Sequence, residues 1–201
     1  TIPGRALRVR QGDTINFTYR VDPSASAAHS VDFHSARVSP ERGYKTINPG
    51  EEFSWSFVAQ VPGTFMYHCG TAPVLMHIGA GMYGTMIVEP EEGLPPAQDI
   101  VLVQSDFYLA DGENGVKVPD YRKMLGHGSM DYVTFNGHAT QYVEEPIKVK
   151  VGVPVRIFLC NTGPNVWSSF HVVGGIFDRV YLGGNPANTF TGLQALTVGP
   201  G

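Results

Sequence analysis

The sequence predicts an all-β protein: two Greek-key β-sandwich domains in tandem, the second of them truncated. Three observations carry that reading. Short runs alternate apolar and polar residues; glycine and proline punctuate them while no long stretch keeps a 3.6-residue period; and one strand–turn–strand pattern occurs twice.

In chain order the alternating runs are "ALRVRQGDTINFTYRV" from Ala6, "EEFSWSFVA" from Glu51, "GTFMYHC" from Gly63, "YGTMIVEP" from Tyr83, "DIVLVQSDFYL" from Asp99 and "PIKVKVGVPVRIFLC" from Pro146. Alternation at period two puts one set of side chains on a core face and the other in water, which is how a half-buried strand reads. The 24 glycines and 15 prolines fall mostly between these runs, where they supply turns. The segment "VEPEEGLPPAQD", residues 88–99, is acidic and proline-rich and suits a connection, dividing the chain into domains 1–92 and 93–201. "ALRVRQGDTINFTY" and "PIKVKVGVPVRIFL" align without gaps, "HSVDFH" sits about where "FHVVGG" does, and "INPGE" answers "VGPG". In the first copy a long stretch including His68 follows "INPG", whereas the second stops at Pro200 and Gly201. The strands closing the second sandwich are therefore expected to lie outside these residues.

Composition narrows the function classes. The 201 residues are 42% hydrophobic, enough for real cores. Fourteen Lys and Arg against eighteen Asp and Glu give a net charge of −4, with no basic run to track nucleic acid or an anionic membrane. No apolar run approaches the roughly 18 residues of a spanning helix. Thr1 opens without a charged and apolar leader, so an export signal is expected to have been removed or not included. Two cysteines, Cys69 and Cys160, make no disulfide framework.

The stretch "FMYHCGTAPVLMHIGAGM", residues 65–82, concentrates soft and borderline donors. Cys69, His77 and Met82 are a thiolate, an imidazole and a thioether between two strands, three parts of a mononuclear copper site that lacks only a second histidine from elsewhere. His29 is the candidate. Met66, Met76 and Met86 read as packing. Strand parity sorts the other donors, because successive side chains point to opposite faces. His29 and His34 are five apart and face opposite ways if the stretch is extended, as do adjacent His68 and Cys69. His29 then goes with Cys69, and His34 with His68; Asp32 shares the parity of His34. A second metal site, back to back with the first, is implied, and the His68–Cys69 peptide would join the two over a distance on the order of 10 Å.

Two histidines leave the second site incomplete, since a catalytic metal usually has three protein ligands and one open position. His127 in "LGHGSM" and His138 in "FNGHAT" read as solvated loop residues. His171, in the apolar stretch "SSFHVVGG", would need a partner if buried.

At this point the chain resembles the copper-containing nitrite reductases. "TIPGRALRVRQGDT", "HSVDFH", "GTFMYHCGTAPVLMHIGAGMYGTMIVEP" and "SSFHVVGGIFDRVY" are similar to that family's segments, in its order. The resemblance implies cupredoxin domains, a type 1 copper held by His29, Cys69, His77 and Met82, and a type 2 copper held partly by His34 and His68. It implies Asp32 and His171 as the catalytic pair and Val173 as the aliphatic side chain over the nitrite pocket. It further implies a homotrimer with each type 2 site between the first domain of one subunit and the second of the next, the third type 2 histidine in the absent C-terminal segment, and a small cupredoxin or cytochrome c as electron donor. Location in the periplasm or on the outer cell surface of a bacterium follows from the same likeness. A two-domain multicopper oxidase would need several His-x-His pairs, and the sequence contains none. An electron-transfer cupredoxin would leave His34, His68, Asp32 and His171 without work.

Overall fold

The computed structural model describes residues 1–126 and 128–201, and strands dominate it; the loop histidine read at His127 lies outside the described residues. The first strands are Leu7–Arg10 (β1), Thr14–Arg20 (β2) and the two-residue Asp32–Phe33 (β3). A short helix, Pro40–Gly43 (α1), precedes Glu52–Val58 (β4), Gly63–His68 (β5), the helical turn Val74–Gly79 (α2) and Tyr83–Glu89 (β6). β1, β2 and β4 alternate half-buried and exposed residues, with Phe57 fully buried, as the alternation predicted. β6 is buried on both faces, which explains its nearly continuous apolar run.

These strands form two facing sheets. One has the order β1-β6-β5-β3, with β1 parallel to β6 and the other neighbours antiparallel; the other is the antiparallel pair β2-β4. Between them Phe33, Phe57 and Met86 pack with Leu7, Val9, Ile15, Phe17, Trp55 and Tyr67, residues drawn from both sheets. Phe33 is 2% exposed and meets Phe17 edge-on at 4.9 Å and Phe57 at 5.4 Å. Phe33→Ala is expected to cost about 3–5 kcal/mol, the range for deleting a core aromatic ring. Denaturant unfolding of the full-length protein checks this, and a loss under about 1 kcal/mol would contradict Phe33 as the keystone of the sandwich.

The second part contains Gln98–Phe107 (β7), Leu109–Asp111 (β8), Lys117–Pro119 (β9), Tyr121–Leu125 (α3), Tyr132–Phe135 (β10), Gln141–Glu144 (α4) and Val155–Asn161 (β11). Ser168–His171 (β12), Phe177–Tyr181 (β13), Thr189–Leu193 (β14) and Ala195–Val198 (β15) complete it. The sheet β10-β7-β11 is central, and β12-β15, β13-β14 and β8-β9 are antiparallel pairs. Met66, Ile78 and Tyr83 pack against Val103 and Cys160, so the outer face of β5 and β6 lies on β7 and β11. Arg8 and Arg156 both reach Asp99 at 2.6 Å, adding an ionic tie between β1, β7 and β11.

One expected strand is missing. Residues 146–150, aligned with β1, are not a strand, although β11 follows them as the repeat predicted. β1 has β6 alongside it; among the described residues nothing pairs with 146–150, and an extended segment without a ladder partner is not a strand. It is held instead by the Gln98 side chain, whose Nε2 donates to Lys148 O at 2.7 Å. No helix among the described residues is long and apolar enough to cross a membrane.

Candidate metal centres

Alternation along β5 decides where its last residues point. Tyr67 packs into the sandwich core and Met66 against the second part. His68 follows the parity of Met66, and Cys69 that of Tyr67.

On the Cys69 side the sulfur lies 3.2 Å from His77 Nδ1 and 3.7 Å from His29 Nδ1, and the two Nδ1 atoms are 3.2 Å apart. One ion bound at about 2.0 Å to imidazole nitrogen and about 2.3 Å to thiolate sulfur would span such separations. Cys69 is 3% and His77 9% exposed, and burial with the neighbouring His29 lowers the basicity of His77. An imidazole kept neutral is the form that binds a metal. Three elements bring these donors together. His29 is fixed by a two-way backbone bridge to Ile47, Cys69 ends β5, and His77 rides on α2. α2 can lie against α3 because position 79 is glycine; a Cβ there would sit 2.2 Å from Met124 Sδ. Gly81, at φ 91°, then reverses the chain into β6. Met82 is tied by its backbone to both neighbours, its N–H donating to His77 O at 3.1 Å and its carbonyl accepting from Cys69 N at 3.0 Å. Cys160 offers no comparable donor: burial pushes its thiol up to about 11, so it stays protonated.

On the other side His34 Nε2 is 3.0 Å from His68 Nε2, and Asp32 Oδ2 is 3.7 Å from His68 Nε2. Asp32, His34 and His68 place their ligand atoms within 4.8 Å of one another. His68 Nδ1 lies 2.9 Å from Cys69 O and donates its proton there, so the Nε2 lone pair is left facing the cluster. His34 keeps an exposed edge, yet burial of its ring and the nearby His68 lower its basicity, against Asp32, which raises it. Parity sorted these donors although the strand it assumed is short: β3 spans only Asp32–Phe33, His34 begins a turn, and its N–H donates to Met66 O at 3.1 Å.

His171 joins neither cluster. A cavity of about 940 Å³ is lined by His34, Met66, Phe158, Phe170 and Leu196 among others. Phe170 faces it, so His171, next along β12, points to the opposite face. There its Nδ1 hydrogen-bonds Gln194 O, leaving Nε2 available. Val173 is 92% exposed. Within one chain the structure therefore does not bring His171 or Val173 to Asp32. His138 is exposed and its Nδ1 accepts from Thr140 N at 3.2 Å. Sequence reasoning passed over Ser30, which is 1% exposed directly after His29. A lone serine carries no chemical signal until its partners in space are known.

Comparison with known proteins gives a consistent result. Residues 1–93 match the multicopper oxidase family. The chain is 43% identical to the copper-containing nitrite reductase of Neisseria meningitidis over 188 residues, covering 91% of this chain and 48% of that protein. Among solved structures, the copper nitrite reductase of Nitrosomonas europaea superposes with a TM-score of 0.87 at 39% identity, covering 100% of this chain and 71% of that one. The copper-containing nitrite reductase of Thermus scotoductus SA-01 gives 0.85 at 36% identity, with 99% and 46% covered. The chain spans about half the length of the curated relatives it matches.

Proposed function

The chain belongs to the copper-containing nitrite reductase family, and from that premise we propose that the protein of which it is part reduces nitrite to nitric oxide. One observation supports this: two groups of side chains that could hold a metal ion, His29–Cys69–His77 and Asp32–His34–His68, meet at the adjacent residues His68 and Cys69. Copper is the metal the family uses and the one a His₂Cys set with a thioether selects.

The balanced reaction takes nitrite, one electron and two protons to nitric oxide and water. Bound copper supplies the one-electron redox change and the positive charge that holds nitrite. His29, Cys69, His77 and Met82 would hold the type 1 ion, and His34 and His68 part of the type 2 ligand set. A single peptide links the sets, and the His68 Nδ1–H to Cys69 O hydrogen bond adds a second contact between the same two residues. Both would carry the electron from a small donor protein, a cupredoxin or cytochrome c, toward the substrate. Asp32 holds one proton beside the substrate position and hands it to the departing oxygen; His171 Nε2 supplies the other.

His171 turns away from Asp32 in one chain, so the pair would meet only across subunits, His171 and Val173 of one copy covering the Asp32 cluster of the next. A homotrimer with three such shared sites, in the periplasm or on the outer surface of a bacterium, completes the proposal. Domains 1–92 and 93–201 are the units that would pair in this way. The match to multicopper oxidases supports a second reading, in which His-x-His pairs would hold a three-copper cluster; residues 1–201 contain no such pair.

Copper analysis of the full-length protein with an assay for nitric oxide from nitrite separates the readings. Two coppers per chain with nitric oxide production is the expected result. Four would favour the oxidase, and one without nitrite turnover an electron carrier.

A further inference from the structure

We propose that Asn114, at the tip of the β8–β9 hairpin, is a site of spontaneous deamidation and isoaspartate formation, and that the fold protects Asn136 from the same reaction. The sequence has two Asn-Gly pairs, at 114–115 and 136–137. A glycine after asparagine leaves the following backbone nitrogen unshielded by any side chain, the feature this reaction needs. The two pairs also share one backbone conformation: φ is 56° at Asn114 and 54° at Asn136, with Gly115 at 75° and Gly137 at 83°. Asn-Gly is the pair that a tight hairpin turn with two left-handed residues prefers. Neighbouring residue and backbone are therefore matched, and the surroundings make the difference. Asn136 Oδ1 accepts from Val103 N at 2.8 Å, and its Nδ2 donates to Val101 O at 2.9 Å and Tyr142 Oη at 2.6 Å. Gly137 is crowded as well, since a Cβ there would sit 1.9 Å from Ile2 O. Asn114 and Gly115 are exposed, and among the described residues no hydrogen bond holds the Asn114 side chain.

The reaction needs only water. The Gly115 nitrogen gives its proton to solvent base and attacks Asn114 Cγ; the new N–Cγ bond forms, the Cγ–Nδ2 bond breaks, and ammonia leaves with a proton taken from water. Water then opens the cyclic imide at the side-chain carbonyl, giving aspartate, or at the main-chain carbonyl, giving isoaspartate, whose backbone runs through the former side chain. Either product adds one negative charge beside Asp111 and Glu113. At Asn136 the ring can close only after its side-chain hydrogen bonds break, which slows the reaction about ten-fold or more. Isoaspartate also lengthens the turn in which Val116 N donates to Glu113 O at 3.1 Å and Gly112 N to Val116 O at 2.8 Å. β8 and β9 pair over only three residues each, so the lengthened turn frays the hairpin.

The test incubates the full-length protein, native and in denaturant, in mildly alkaline buffer and follows both pairs by peptide mapping with mass spectrometry, which separates aspartate from isoaspartate chromatographically. In the native protein Asn114 should convert at least about ten-fold faster than Asn136; in denaturant, where the hydrogen bonds of Asn136 are gone, the two rates should converge. Asn114→Gln should abolish the more acidic species that isoelectric focusing resolves in the aged native protein. Hydrogen exchange at Val116 N–H should be faster in the isoaspartate form than in fresh protein. Asn114 remaining intact in the native protein while both pairs convert in denaturant would overturn the proposal, and so would equal native rates at the two pairs. Persistence of the acidic species in Asn114→Gln would place the reaction elsewhere and overturn it too. Unchanged exchange at Val116 would overturn the fraying of the hairpin.

Discussion

Replacing Cys69 by alanine is expected to abolish the intense visible absorption and all donor-driven nitrite reduction, and to lower bound copper from two ions per chain to one. The thiolate is the ligand that gives a His₂Cys copper its colour, and it is the first protein atom on the proposed electron route. The remaining donors of that set, His29, His77 and Met82, would be left without the sulfur that lies 3.2 Å from His77 Nδ1 and 3.7 Å from His29 Nδ1. The second set should survive. Its link to Cys69 runs from His68 Nδ1 to the backbone carbonyl, which alanine retains, so the His68 tautomer is preserved. Absorption, electron resonance and copper analysis of the purified full-length variant check all three claims. A persisting strong visible band would show that Cys69 is not the chromophore ligand.

That both donor sets can be reasoned toward from sequence follows from local geometry. Cys69, His77 and Met82 lie within one short stretch, and the opposition of His68 to Cys69 needs only the alternation of a single strand, which β5 obeys. The opposition of His29 to His34 was the weaker inference, because the extended stretch it assumed breaks on both sides of β3. It holds because tertiary contacts pin the two residues, His29 to Ile47 and His34 to Met66. What depends on distant partners was not legible. The alternating residues 146–150 look like β1 in sequence but have no strand beside them, and pairing rather than pattern makes a strand. Ser30, Thr46 and Thr71 carry no spacing signal, since their hydroxyls meet only after three separate segments are folded together. The orientation of His171 likewise depends on which face of β12 Phe170 occupies.

Asp32→Asn is expected to lower nitrite turnover by about 100-fold or more while the type 1 colour and the copper content stay unchanged. Asparagine matches aspartate in size and keeps a side-chain oxygen, but it has no ionisable proton to give to the departing oxygen. Asp32 Oδ2 is 3.7 Å from His68 Nε2, inside the second donor set, whereas His29, Cys69 and His77, the proposed type 1 ligands, group on the other side of β5. The His68 tautomer does not depend on the carboxylate either, being held through Nδ1 by Cys69 O. The loss should therefore appear in kcat at saturating nitrite, with two coppers still bound per chain. His171→Ala should give a loss of similar size, because two protons are consumed and each residue supplies one. The measurement is steady-state nitric oxide production by the full-length protein under an excess of electron donor, alongside copper analysis of each variant. Full activity in both variants would remove Asp32 and His171 from the proton path. A fall in turnover matched by a fall in bound copper would instead make Asp32 a structural support of the metal set.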